Sequence, residues 1–143
     1  MNDALYNDAI LAHARAKRRA GRLANPGASA SVDNPLCGDR VTIDLNLKNG
    51  VVSDFAQSVR GCILCEAAAS IIGAHAVGAT PGVLHAAADA ARAVIAEGTP
   101  PDRGWPELSC FAPVHAHKSR HTCVLLPFQA LERALAEIAR DEG

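Results

Sequence analysis

The sequence predicts an α+β fold: a small antiparallel three-stranded sheet with helices packed on one face. Three observations carry that prediction. Residues 41–47, VTIDLNL, alternate apolar and polar side chains, the period of a half-buried strand. Asn49-Gly50 follows directly, a pair that accepts the left-handed backbone of a two-residue hairpin turn. After Gly61 the pattern changes to Ala-rich helical runs, so one block of strands precedes several helices.

Residues 3–18 have helical spacing, with Leu5, Ala9, Ala12 and Ala16 along one stripe and Asp3 as the cap. Residues 21–31 are rich in Gly, Ala, Ser and Pro and read as a connecting loop. The strand at 41–47 pairs through the Asn49-Gly50 turn with VVSDFAQSV (51–59), and SVDN (31–34) adds a third strand. Helices follow at 63–77 and 81–97, the second with Thr80 as cap, Pro81 in its first turn and Gly98 at its end. Pro100, Pro101, Pro106 and Pro113 make residues 98–118 largely irregular. The last helix runs from about Cys123 to Arg140, with Pro127 near its first turn. No internal repeat interrupts this order, and residues 1–143 read as a single domain.

Composition narrows the function. Hydrophobic residues make up 49% and charged residues 20%, the balance of a globular fold whose 143 residues bury a core without disulfides. A net charge of -1 gives no basic field to neutralise phosphates, so no nucleic-acid partner is expected. No run is long and apolar enough for a membrane span, and residues 1–15 lack a signal-peptide core, which together imply a cytoplasmic protein. Arg15, Lys17, Arg18, Arg19 and Arg22 crowd the end of the first helix. A solvated helix C-terminus accounts for them better than a docking patch for an acidic partner.

Five cysteines in a reducing compartment point to metal binding or catalysis rather than disulfides. Cys37 lies in the turn before the first long strand, Cys62 opens a helix, and Cys123 lies at the start of the last helix. Element ends are where ligands from distant segments meet, although free cysteine is also a common core residue. A helix N-terminus lowers a thiol pKa, and Arg120 acts on Cys123 in the same direction. With Asp39, two residues after Cys37, the three thiolates can enclose a tetrahedral zinc or hold an iron–sulfur cluster.

These residues resemble the U-type iron–sulfur cluster scaffold family (IscU, the NifU N-terminal domain, SufU). The resemblance rests on Asn34-Pro35-Leu36-Cys37-Gly38-Asp39, on Gly61-Cys62 before an Ala-rich helix, and on Cys123-Val124-Leu125-Leu126 opening a leucine-rich one. It extends to Leu5-Tyr6, His13, Gly21 and Leu23, covering nearly the whole chain. The long interval between Cys62 and Cys123, and Arg120 three residues before Cys123, are closer to the SufU branch. Thr122 stands where IscU has histidine, and the late LPPVK-type motif is missing.

The resemblance implies a scaffold on which Cys37, Asp39, Cys62 and Cys123 hold a metal or a nascent [2Fe–2S] cluster. Asp39 is then the weaker ligand that keeps one edge exchangeable. Its SufU side implies the alternative of a zinc-dependent sulfur acceptor. There one of Cys37, Cys62 and Cys123 leaves the metal to take persulfide sulfur, and Arg120 holds Asp39 or the released thiolate. Both readings imply a cysteine desulfurase as sulfur donor, and recipient apoproteins or downstream cluster carriers as acceptors. A structural zinc domain is a third reading, disfavoured by the aspartate ligand. Cys65, where the family has a small residue, is an alternative ligand, a resolving thiol or core packing, with packing favoured. Cys110 has no role. Among His75, His85, His115, His117 and His121, only His121 is placed near the site, as a proton relay.

Overall fold

The structure, a computed structural model, describes residues 6–36, 38–102 and 104–142, with side chains to residue 139. The chain runs α1 (Asp8–Ala16), β1 (Ala28–Asn34), β2 (Asp39–Lys48), β3 (Val51–Arg60), α2 (Ile63–His75), α3 (Pro81–Glu97), 3-10 turns at Pro106–Ala116 and Lys118–Arg120, and α4 (His121–Glu142). The α+β prediction holds. One antiparallel sheet of order β1-β2-β3 is packed on one face by α2 and α4, with α1 against α2 and α3 against α4.

The hairpin forms as its residues dictate. Asn49 (φ 56°) and Gly50 (φ 80°) take the left-handed backbone of a type I′ turn, and Lys48 pairs with Val51. A bulge at Asn46/Leu47 shifts the register, after which Leu45, Ile43 and Val41 face Phe55, Gln57 and Val59. Ala28, Ala30 and Val32 of β1 sit opposite the same three residues of β2, so one face is apolar across the strands except at Gln57, whose Nε2 donates to the Ala69 carbonyl (2.6 Å). Phe128, Leu131, Ala134 and Leu135 of α4 and Leu64, Ala68, Ile71 and Ile72 of α2 join these strands in one core. Burial of each large side chain there contributes about 1.5–3 kcal/mol.

The departures from expectation lie at element ends. Among the described residues the first helix begins at Asp8, where Asn7 caps it by accepting the Ile10 N–H at 2.9 Å. Asp3 and Leu5 lie outside the described residues. Ala9, Ala12 and Ala16 face solvent, and the buried residues of α1 are Ile10 and Ala14. In an alanine-rich helix it is the large side chain that sets the inward face, and Ile10 overrides the alanine stripe. Strand β1 starts at Ala28, inside the expected loop, because Gly27 donates to the Leu45 carbonyl and begins the ladder early. Residues 106–116 are successive 3-10 turns rather than irregular chain, opened by Pro106 and burying Leu108, Phe111 and Val114. Helix α4 starts at His121, which places Pro127 inside it.

Residues 17–22 form a strap. Gln57 N–H donates to the Arg19 carbonyl (2.9 Å) and Gly21 N–H to the Gln57 carbonyl (2.8 Å), covering the edge of β3 where an unpaired strand is a liability. Lys17 and Arg19 have positive φ (43° and 62°) and turn the chain into this path. The basic run is therefore partly structural. Arg18 bonds Ser70 Oγ (3.0 Å), Lys17 pairs with Glu66 (3.6 Å), and Arg22 reaches Asp44 with Nε (2.6 Å).

Candidate metal centre

The site lies at the end of the sheet where β2 begins and where α2 and α4 both start. The turn from Asn34 to Gly38 feeds Asp39 into it. Gly38 N–H donates to the Asn34 carbonyl (2.8 Å), and Leu36 N–H donates to Asn34 Oδ1 (3.1 Å). Gly38 has φ 75°, and a Cβ there would meet nothing within 4 Å, so its backbone and not its lack of bulk demands glycine. Asn34 Nδ2 also donates to Thr122 Oγ1 (3.0 Å), tying the turn to α4 beside Cys123. Cys37 lies outside the described residues.

Cys62 is the N-cap of α2 in extended backbone (φ -73°, ψ 174°). Its carbonyl accepts the Glu66 N–H (3.0 Å), while its side chain makes no capping bond. Cys123 is in the first turn of α4 and 3% exposed. One ligand atom from each of Asp39, Cys62 and Cys123 lies within 4.8 Å of the other two. A tetrahedral metal with bonds to sulfur and oxygen places its ligand atoms about 3.5 Å apart, so a small contraction closes the three on one ion.

The chemistry of the donors fits a cation. Asp39 is 7% exposed, and its Oδ2 has no hydrogen-bond partner among the described residues. A buried carboxylate oxygen left without a donor is costly, and a metal removes that cost. Gly61 gives the carboxylate its place: a Cβ there would meet Cys65 Sγ at 2.9 Å and Asp39 Cγ at 3.2 Å. Glycine before Cys62 is thus needed for close approach, a requirement visible in the sequence only as an unexplained Gly-Cys pair.

The Cys123 thiol departs from expectation. Its pKa is pushed up to about 12, first by burial, then by Cys62 and Asp39 beside it, with Arg120 pulling the other way. Desolvation and crowded acidic groups outweigh the helix end and the arginine. Arg120 is raised as well, by the charge of Tyr6 and by its interaction with Cys123. Its charge therefore acts on the Cys123 sulfur, whereas Asp39 Oδ2 has no hydrogen-bond partner among the described residues. A cation binding here has to displace the thiol proton.

The remaining candidates separate from the trio. Cys65 is fully buried behind Gly61, and burial followed by Asp39 pushes its thiol up. Cys110, half-buried in the 3-10 turns, is raised to about 12 by burial. All four described cysteines are free thiols. His121 is turned to the His115 carbonyl, to which its Nε2 donates (3.0 Å), so the expected relay has its ring nitrogen engaged elsewhere. His115 bonds the Ile95 carbonyl (2.9 Å), His85 faces Glu132 (3.5 Å), and His75 bonds Glu107 (2.7 Å) while stacking on Trp105 at 4.5 Å. His117 also makes contacts of its own. Among the described residues no helix is long and apolar enough to cross a membrane.

A three-stranded sheet with a carboxylate at one end, met there by thiols from two helix starts, defines a small α+β domain with a candidate metal site. The chain belongs to the NifU-like N terminal domain family, whose pattern matches residues 5–99 and includes Asp39 and Cys62. A NifU-like N-terminal protein of Brucella abortus has the same fold, with TM-score 0.91, 38% identity and 96% of each chain covered. The "Iron-sulfur cluster assembly scaffold protein IscU" of Thermotoga maritima is 26% identical over 137 residues, 95% of this chain and 96% of that protein. The "Zinc-dependent sulfurtransferase SufU" of Bacillus subtilis is 33% identical over 70 residues, 49% of this chain and 47% of that protein.

Proposed function

We propose that this chain is an iron–sulfur cluster assembly scaffold, with Cys37, Asp39, Cys62 and Cys123 holding a metal or a nascent [2Fe–2S] cluster. One observation carries the reading: Asp39, Cys62 and Cys123, from three separate elements, bring ligand atoms within 4.8 Å around a buried carboxylate oxygen that has no other partner among the described residues. The Cys37-Gly38-Asp39 motif supports Cys37 as the fourth ligand. The cluster is cargo, so the site must release as well as hold it. Asp39 supplies that property, because iron binds carboxylate oxygen less tightly than thiolate. The family membership and the full-length similarity to a named IscU support the same reading. On this reading the protein is a cytoplasmic single domain over 1–143, taking sulfur from a cysteine desulfurase and passing clusters to apoproteins or downstream carriers.

A second reading is favoured by the Arg120 charge that acts on Cys123 and by the similarity to a zinc-dependent sulfurtransferase. Here zinc occupies the four ligands, and one cysteine leaves it to accept persulfide sulfur while Arg120 holds the released thiolate. The two readings part on metal content. Protein purified without oxygen should carry iron with equal labile sulfide if it is a scaffold. One zinc per chain and no sulfide supports the sulfur acceptor, and absence of all metal with wild-type stability contradicts both.

A further inference from the structure

Cys65 is the one described thiol that borders the site without belonging to the ligand trio. It is fully buried, stands three residues after Cys62 in the first turn of α2, and so shares that helix face. Its sulfur packs against the backbone just before Cys62: the missing Cβ of Gly61 marks a point 2.9 Å from Cys65 Sγ and 3.2 Å from Asp39 Cγ. A second observation points into the same space. Asp39 is 7% exposed, and its Oδ2 has no hydrogen-bond partner among the described residues. Accessibility then orders the thiols. Cys62 is partly exposed and is followed by Ile63, 42% exposed, whereas Cys123 is 3% and Cys65 0% exposed. Of the three, Cys62 is the one an incoming sulfur donor reaches.

We propose that Cys65 is the resolving thiol for sulfur loaded on Cys62, converting a persulfide into free sulfide at the site. The Cys65 sulfur attacks the Cys62 sulfur of Cys62–S–SH, and a Cys62–Cys65 S–S bond forms. The persulfide S–S bond breaks, and its electron pair leaves with the outer sulfur. The Cys65 thiol proton goes to the departing hydrosulfide, which leaves as hydrogen sulfide. The sulfane sulfur is reduced to sulfide by the two electrons of the two thiols, and no further oxidant or reductant enters the step. A dithiol reductant resets the disulfide before another round. Sulfide is the oxidation state that bridges iron in a cluster, so the device supplies sulfur in usable form. The disulfide takes both Cys62 and Cys65 out of use until it is reset, while Cys123 and Asp39 stay available as ligands. The inference rests on the reading that this site receives persulfide sulfur.

Anaerobic full-length protein treated with cysteine trisulfide tests it. Intact and peptide mass spectrometry follow the gain of one sulfur at Cys62, and a dye assay follows the hydrogen sulfide. Wild-type protein should release one sulfide per persulfide and yield a Cys62–Cys65 disulfide. Cys65→Ser, close in volume and melting as wild type does, should retain the persulfide, with release slowed by roughly tenfold or more. Release at the wild-type rate from Cys65→Ser, or a disulfide mapped to Cys62–Cys123, overturns the proposal. A Cys62 that gains no sulfur in either protein overturns it too, and that outcome strikes the sulfur-acceptor reading itself, which the other two leave standing.

Discussion

Single residues set the properties of this site, and Asp39 sets most of them. It brings an oxygen among sulfurs, and it is buried with one oxygen unpartnered among the described residues. Asp39→Ala should therefore leave the fold intact while changing metal exchange or cluster lifetime, since the weakest ligand controls opening. Stopped-flow transfer of metal to a chromogenic chelator measures this, and equal rates in mutant and wild type would remove Asp39 from that role. Gly61 is the second such position. A Cβ there meets Cys65 at 2.8 Å and the Asp39 carboxylate carbon at 3.2 Å, so Gly61→Ala overpacks the site. The expected cost is about 1–3 kcal/mol, together with weaker metal binding, read by denaturant melts and competition titration. The raised Cys123 thiol adds a pH dependence. Metal binding must release its proton, so affinity should climb as pH rises across the range below about 12, with proton release seen in weakly buffered titrations.

At the scale of elements, the strap over β3 and the polar row beneath it tie the first helix to the sheet. Asp44 is buried on the sheet face away from the helices. It accepts hydrogen bonds from Arg22 Nε (2.6 Å), Ser29 Oγ (2.6 Å) and Leu23 N (3.0 Å). Burial alone raises its pKa, but these donors outweigh it and hold the carboxyl below its ordinary 3.8. The sign follows from linkage. Its stabilisation is fully present above the unfolded value of 3.8 and is lost as pH falls through the lower folded value. Asp44→Asn should cost about 1–3 kcal/mol at neutral pH and flatten the acid limb of the stability curve. An unchanged acid limb would show that other carboxylates govern it. Gly73 plays a matching part in α2, where a Cβ would sit 2.5 Å from the Arg18 carbonyl oxygen and lift the strap from the helix. Little of this is legible in the sequence. The basic run from Arg15 to Arg22 reads as a solvated helix end, and only the fold shows that Lys17, Arg18 and Arg22 have partners in α2 and β2.

For the whole molecule, a metal at this site would join three segments that the core already holds near one another. A metal binding only the native arrangement stabilises by mass action, about 4 kcal/mol when free metal exceeds its dissociation constant a thousandfold. The core of β1–β3, α2 and α4 contains large fully buried side chains and touches the ligand trio only at its margin, through Cys123 and the partly buried Cys62. Chelation should then lower the melting temperature and loosen residues 34–40, 60–62 and 118–123, leaving 41–59 protected in hydrogen exchange. Loss of protection throughout the sheet would favour a structural zinc domain.

What the sequence by itself determined was the local grammar. Alternation at 41–47 and the Asn49-Gly50 turn specify a hairpin through backbone preferences that no distant contact overrides. Gly38, Gly61 and the cysteines mark the element ends where a site forms. The inward face of α1 is less legible, because Ile10 wins over the alanine stripe only through what it packs against. Tertiary structure alone decided that Asp39, Cys62 and Cys123 meet, and that Cys65 lies against Gly61 behind them. It also decided that Cys123 is raised rather than lowered. A thiol's proton affinity depends on the charges and solvent that folding places around it, and neither is written in its neighbours along the chain.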